Sequence, residues 1–384
     1  MNLLNRQLII ATALLGIPML SCPVAKADNT RDFYFQQVLE RYYNYPTTAR
    51  QLGMGGSSVA TSVDSSAIVG NPAGLGFMKR GEFSGTYGHN QISGDEFPSG
   101  QSIEQTSNSG LGLLATPLGQ LPNETPEFGN LGLGWSGNWS DWQDDSFGTD
   151  AKQIKVFGAY SITVSDDLSL GYSLGWNRDR LEADKLFNYP MANGFRHTVG
   201  ALYKVDSNLT LASTVLVGHG SHHALFLPAA QRVSNTNQYG VGVGASYRLD
   251  ATTVSAAVDY NHLNTTGDVE ESIPANIIGG DEQGNIFNAS IGVEQMLSDN
   301  VAVRGGYRYA GLANYDYGRS ELGSLDGSAY YNAFSLGAGV VFDTDWIAIP
   351  QVKIDYGVEY RTAGYDDFQQ SVTLSLPFDV CPPA

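Results

Sequence analysis

The chain has 384 residues, with 21 Lys and Arg against 39 Asp and Glu, a formal net charge of −18 and two cysteines. So large a surplus of acid excludes nucleic acid as a partner, because binding to phosphates draws on basic side chains. Beyond the amino-terminal segment no run of about 18 apolar residues occurs, which excludes a bundle of membrane-crossing helices but not a transmembrane barrel.

Arg6, the apolar run "LIIATALLGIPML" and the small-residue stretch "AKA" at 25–27 follow the order of a secretory signal peptide. The expectation is a signal at 1–27, cleaved after Ala27. A lipoprotein reading would keep Cys22 as an acylated terminus through "MLSC", where Met19 fits poorly. Removing the signal takes Arg6, Lys26 and Cys22 but no acid, leaving 19 basic and 39 acidic residues, or 19 − 39 = −20. Cys381 then stands alone, so no internal disulfide supports the fold.

Residues 28–80 form a second region. It opens with the aromatic "RDFYFQQVLERYYNYP" and continues into "ARQLGMGGSSVATSVDSSAIVGNPAGLG" at 49–76, where Arg50 and Asp64 are the only charges. A phosphate-binding loop is a poor reading: the Walker Lys-Ser/Thr is missing, GxGxxG spacing fails at Ser58, and no helical pattern follows. Small side chains and glycines suit instead a segment that coils in a confined space and needs positive φ.

From Gly81 onward the chain is written in period two. "LSLGYSLGWN" sets Leu168, Leu170, Tyr172, Leu174 and Trp176 against Ser169, Gly171, Ser173, Gly175 and Asn177. The same alternation holds at 152–164, 239–249, 253–263, 286–296, 301–311 and 351–361. Weaker strands at 81–91, 108–117, 128–138, 195–204, 209–218, 330–342 and 368–378 bring the expected number to about fourteen. Tight turns at 165–167, 205–208, 249–253 and 298–300 alternate with long loops near 178–194, 219–237, 264–285 and 312–329. Aromatics cluster at strand ends on the apolar face, among them Tyr203, Tyr239, Tyr260, Tyr307 and Tyr356. A soluble two-layer sandwich shares the alternation, but short turns on one side, long loops on the other and aromatic girdles point to an outer-membrane barrel. An even strand count puts both ends of residues 81–384 with the short turns, and a lumen of this width needs filling.

Few residues suggest chemistry. His219, His222 and His223 could meet a metal, yet solvated loop histidines account for them, and neither a metal nor a cofactor is expected. No poised Ser–His or carboxylate–His motif supports an enzyme. Apolar residues in the long loops are more telling: Leu186, Phe187, Tyr189 and Met191, with Leu225, Phe226 and Leu227, are candidates for an outer ligand groove. The face turned to the lumen is expected to carry Lys155, Arg196, Arg248, Asp259, Glu294, Arg304, Arg308, Lys353, Asp355, Glu359 and Arg361, mostly paired because isolated buried charge is costly. Arg304, Arg308, Lys353 and Arg361 are the polar candidates there, and an arginine could meet a fatty carboxylate.

The stretch at 49–76 closely resembles the amino-terminal hatch of the FadL family, outer-membrane transporters of long-chain fatty acids and other hydrophobic compounds. Gly53, Met54, Gly55, Gly56, Ala60, Asp64, Ala67, Asn71, Pro72 and Ala73 stand in register with that motif. The resemblance implies an all-β transmembrane antiparallel barrel of about fourteen strands, a hatch in its lumen, and passive passage through a lateral opening in the wall. It also implies that loops after the fifth and seventh strands capture ligand, which is where the two apolar segments fall. Gly55, Gly56 and the Asn71-Pro72-Ala73 corner are the implied gating residues, with Pro72 fixing its own φ and biasing Asn71 towards extended geometry. Expected partners are a hydrophobic small molecule, outer-membrane lipid and lipopolysaccharide, and the barrel-insertion machinery, although the final strand continues past Phe378 as "DVCPPA". A barrel of the Gram-negative outer membrane that shuttles or assembles secreted proteins is the alternative function.

Overall fold

The computed structural model describes residues 47–94, 103–119, 128–143, 148–183, 187–226, 230–269, 282–317, 327–344, 349–362 and 366–379. The signal segment, residues 28–46 and the tail beyond Asp379 lie outside them.

Fourteen strands follow one short helix and two 3-10 turns. In chain order they are β1 (Gly81–Gly94), β2 (Ile103–Pro117), β3 (Asn130–Gln143), β4 (Gly148–Ser165), β5 (Leu168–Ala183), β6 (Phe187–Lys204), β7 (Leu209–Phe226), β8 (Ala230–Leu249), β9 (Thr252–Val269), β10 (Glu282–Ser298), β11 (Val301–Tyr317), β12 (Gly327–Asp343), β13 (Gln351–Thr362) and β14 (Asp366–Phe378). Each pairs antiparallel with its neighbours in sequence, and β1 pairs with β14 from Gly81↔Phe378 to Ser93↔Asp366, closing the barrel. No strand edge is left open, which is the condition for a sheet to stand in lipid.

The distribution of side chains is inverted relative to a soluble protein. Leu133, Trp135, Ile154, Val156, Val199, Val215, Val241, Val243 and Leu336 all face outwards and are exposed, while Ser84, Ser136, Ser173, Ser246, Asn288, Glu294, Arg304 and Glu359 face inwards and are buried. Water would strip such a surface of its advantage; a hydrocarbon layer rewards it. Leu131 to Trp139 on β3 and Ile154 to Ile162 on β4 show how period two writes this inversion directly into the chain.

The strands begin at the expected tight turns but run well past the expected loop boundaries. β8 has 20 residues, against about 9–11 needed to cross a bilayer. Most of the regions read as loops at 178–194 and 219–237 are therefore strand, because the backbone ladder continues to pair after the apolar alternation that marks the membrane has ended. Short connections are built locally. Asp250 adopts φ 50° in the two-residue turn between β8 and β9, a left-handed conformation that Asp tolerates better than most residues. In the turn after β6, the Asp206 carboxylate accepts hydrogen bonds from the N–H groups of Asn208 (2.7 Å) and Leu209 (2.8 Å), which hold it below the usual carboxylate range.

A belt of polar cross-strand pairs runs round the outward face near the long-hairpin end. The hydroxyl of Tyr87 donates to Asn108 Oδ1 (2.8 Å), that of Tyr260 to Asn285 Oδ1 (2.7 Å), that of Tyr307 to Asn332 Oδ1 (2.6 Å) and that of Tyr356 to Gln370 Oε1 (3.0 Å). In each case the acceptor lies diagonally across the hairpin. His89 and His262 add a second contact at 3.0 Å to the same Asn108 and Asn285 oxygens, so Nδ1 is the donor in both rings. Aromatic bodies with wet tips mark the level where hydrocarbon gives way to headgroups. Replacing Asn285 by Leu removes one acceptor from two donors and is expected to lower the unfolding free energy by about 1 kcal/mol, read as a lower urea midpoint for the barrel refolded in lipid vesicles. An unchanged midpoint would show that headgroups or water serve Tyr260 and His262 equally well.

Candidate functional site

The lumen is occupied by residues 47–78, and local sequence explains their path. The helix α1 (Ala49–Gly53) starts in a capping box: Thr48 Oγ1 accepts from Gln51 N at 3.4 Å, and Gln51 Oε1 accepts from Thr48 N at 3.0 Å. Asp64 caps the 3-10 turn Ser65–Ile68, accepting from Ser66 N at 3.0 Å. Asn71 caps the turn Pro72–Phe77, accepting from Ala73 N at 3.2 Å, with Pro72 at the first position, where it forfeits no hydrogen bond. Gly55 and Gly56 take φ +64° and +78°, and a Cβ on Gly55 would lie 2.8 Å from the backbone nitrogen of Tyr307. Wall glycines make room in return: an added Cβ at Gly306 would strike Gly55, at Gly357 Ala49, and at Gly171 Pro72. The Gly-rich inner face is thus the imprint of a backbone lying directly on it.

Two kinds of contact fix the segment. On the side of β10, β11 and β13 the contact is ionic. Glu294 receives Arg50 Nε at 2.9 Å and Nη2 at 3.0 Å from the segment, and Arg304 Nε at 2.6 Å from the wall. Arg304 continues to Asp355 at 2.6 Å, and Arg50 reaches Asp64 at 3.4 Å. Beside this network, Glu82 Oε1 accepts from Ser65 N (3.1 Å) and Oγ (2.7 Å), while Lys353 lies 3.4 Å from its other oxygen. Nearer the long hairpins, Glu359 is shared by Arg308 and by Arg361, whose Nε lies at 2.7 Å, and Arg361 also holds Asp367 at 3.1 Å.

On the opposite side the contact is apolar. Leu111, Leu113 and Ala115 of β2, with Phe157 and Ala159 of β4, turn inwards to meet Ala67, Ile68, Val69, Leu75 and Met78. Between those strands Gly132 of β3 leaves the space that Ile68 and Leu75 fill. Asn71, fully buried, ties the corner to the wall by donating from Nδ2 to Ala201 O (3.2 Å) and to Val59 O (3.1 Å). Polar cavities lie on either side of the segment. One, of about 100 Å³, lies towards the long hairpins; the other, of about 210 Å³, lies towards the short turns among Arg50, Glu82, Glu294 and Lys353.

The residues singled out in the sequence are distributed unevenly. Arg304, Arg308 and Arg361 are buried in the lumen and Lys353 is partly buried there; Gly55, Gly56, Asn71, Pro72 and Ala73 lie in the lumenal segment. Arg248 is exposed near the short-turn rim, its Nε 3.5 Å from Asp250 O, and is not a lumen group. The residues expected to form the outer groove lie in strand and not in loops: Phe187, Tyr189, Leu225 and Phe226 belong to β6 and β7, with Phe187 paired to Phe226 and Asn188 to Leu225 in the ladder. They are hairpin strand, since pairing persists beyond the apolar band; Leu186 and Leu227 fall outside the described residues. Behind the apolar patch, the ladders of β3 to β2 and to β4 run from end to end without a register shift, so among the described residues the wall at that place shows none of the lateral opening that the resemblance implies. The inner apolar patch was missed. Its signal was available: "LGLL" at 111–114 and Val156-Phe157 put apolar residues on both faces and break the alternation.

Residues 110–342 match the family model of the outer membrane protein β-barrel domain. No curated protein sequence matches the chain. Among solved structures the chain is similar to a FadL homologue of Pseudomonas aeruginosa, with a TM-score of 0.61 and 14% identity over 88% of this chain and 99% of that one. It is similar also to the Ralstonia pickettii toluene transporter TbuX (TM-score 0.58, 14% identity, 86% and 98% covered) and the Pseudomonas putida toluene transporter TodX (0.53, 14%, 87% and 98%). At such identities the likeness is one of fold.

Because Glu294 is the carboxylate shared by the segment's Arg50 and the wall's Arg304, Glu294→Gln removes the link between them and leaves Arg50 only Asp64 at 3.4 Å and Arg304 only Asp355 at 2.6 Å. With both arginines keeping a second carboxylate, the lost charge-assisted hydrogen bonds cost about 1.5–3 kcal/mol. The variant is expected to show a lower melting temperature and a larger, noisier single-channel conductance in planar bilayers; a quiet channel with wild-type conductance would mean that the apolar contacts alone hold the segment.

Proposed function

The chain belongs to the outer membrane protein β-barrel domain family and resides in the outer membrane of a Gram-negative envelope; from that premise we propose that it admits hydrophobic small molecules passively, through a lumen gated by residues 47–78. The observation that carries this reading is the apolar patch inside an otherwise polar lumen, formed by Leu111, Leu113 and Phe157 against Ile68, Leu75 and Met78. The patch holds the lumenal segment against β2 and β4, and a lipophile of similar shape would take the segment's place on it when the segment moves. A lipophile moved from water onto it gains roughly 25 cal/mol per Å² of apolar area buried, which is a driving force that needs no chemistry.

Several features support the route. The lumenal segment covers the patch, so ligand reaches it only when the segment yields, and the Asn71-Pro72-Ala73 corner is the natural pivot: Asn71 alone bonds to two backbone carbonyls while Pro72 holds the chain extended before the turn. Capture at the outside falls to the outer ends of β6 and β7, whose ladder brings Phe187 opposite Phe226 and next to Leu225. The toluene transport named for TbuX and TodX agrees with ligands of this class.

Phe157→Asp places a charge in the patch, and Pro72→Gly loosens the corner. The first is expected to cut accumulation of labelled toluene and oleate at least several-fold in cells whose only such channel is this barrel, and the second to change flux more than binding. Wild-type accumulation of both no greater than in cells without the barrel, with surface assembly confirmed, would reject transport of these ligands and favour a protein-binding role.

A further inference from the structure

The cavity towards the long hairpins is not lined as a hydrocarbon would require. Its wall on β14, β1, β2 and β3 presents Ser371, Asn90, Ser107, Ser109, Ser136 and Asn138 to the lumen. Ser136 and Ser371 are buried at 6% and 4% exposure, and Asn90 Oδ1 and Ser371 Oγ have no hydrogen-bond partner. An apolar molecule resting here displaces water from hydroxyls and amides and returns nothing to them, which is a cost and not a gain.

Nor is the cavity arranged for an anion. Arg308 and Arg361 border it, but both are held by Glu359, and Arg361 by Asp367 as well. Lys155, the third cation, is buried and itself engaged. A carboxylate would have to break these contacts to be received. A neutral group that both donates and accepts hydrogen bonds meets the serines and asparagines without disturbing them.

Two aliphatic side chains also reach this cavity. Leu52 of α1 and Leu111 of β2 line it, and Leu111 is also a member of the inner apolar patch that continues through Leu113 and Phe157. Polar cavity and apolar patch therefore meet at Leu111, beyond which Leu113 and Phe157 lie under the lumenal segment, so a tail extends onto them as that segment gives way.

We propose that the preferred ligands are amphiphiles with a neutral, hydroxylated head: the head lies against the Ser107, Ser109 and Asn138 wall while the tail follows Leu111 towards Leu113 and Phe157. This rests on the lipophile reading above and narrows it, since it disfavours both bare hydrocarbons and free fatty acids. The site is a selector placed above the gate.

Three tritiated probes with the same twelve-carbon tail test it: 1-O-dodecylglycerol, dodecanoate and dodecane, each equilibrated with the full immobilised barrel. Wild type is expected to retain dodecylglycerol at roughly tenfold lower concentration than either other probe, the size of effect that one or two net hydrogen bonds produce. The variant Ser107→Val/Ser109→Val/Asn138→Leu should lose that advantage and still bind dodecane, while Ser107→Thr/Ser109→Thr keeps the hydroxyls and the preference; heat-dependent migration checks that each barrel is folded. Equal retention of all three probes by wild type, or a preference that survives in the Val/Leu variant, overturns the head site alone. Retention of none of the three by folded wild type overturns the lipophile reading and this inference with it.

Discussion

Everything in this molecule follows from the requirement that a backbone in lipid find all its hydrogen bonds within itself. The ladder between β1 and β14, running from Gly81↔Phe378 to Ser93↔Asp366, is where that requirement is finally met. Once the sheet is closed, one face of every strand is committed to hydrocarbon and the other to a shared interior. The exposed Val, Leu and Tyr side chains and the buried Ser, Arg and Glu side chains are the two consequences of one closure. The Tyr–Asn and His–Asn pairs at the long-hairpin end serve the same end, because they let polar tips stand at the headgroup boundary without leaving donors unmet.

Closure on fourteen strands also creates a lumen that side chains from the wall do not fill, and the answer is a segment of chain instead of larger residues. Laying one backbone on another demands glycine on both surfaces, which is why Gly53 lies against Gly337 and Gly55 against Gly306, where a Cβ has no ordinary room. The segment is held asymmetrically. Charge concentrates on β10, β11 and β13 around Glu294 and Glu359, whereas β2 and β4 offer Leu and Phe. An ionic contact with several well-aimed partners is directional and resists sliding, while an apolar contact gives way to any other apolar surface of similar shape. In the proposed gating, a lumenal segment gripped by the first would hinge away from β2–β4 by giving up the apolar contact and the hydrogen bonds that Thr163 Oγ1 donates to Gly76 O and Ser169 Oγ to Ala73 O (2.7 Å each), without leaving the barrel.

The barrel was legible in the chain because lipid and lumen impose strict alternation, and alternation survives in a single sequence as period two. All fourteen strands, the tight turns after β4, β6, β8 and β10, and the outward girdle tyrosines follow from that pattern. The FadL-like stretch at 49–76 was legible for a different reason: positive φ at Gly55 and Gly56 and a capping Asn71 before Pro72 are local needs that only particular residue types meet. Tertiary structure decided the rest. How far the hairpins rise was not readable, since beyond the membrane neither face is forced to be apolar and Phe187 or Leu225 then looks like loop. Which charges meet was not readable either: Arg50 and Glu294 are separated by 244 positions, and only barrel closure brings them within reach. The inner apolar patch showed itself in sequence merely as a fault in the alternation at 111–114 and at Val156-Phe157. Its meaning depends on Ile68 and Leu75 lying opposite, a fact of three-dimensional proximity that no periodicity can encode.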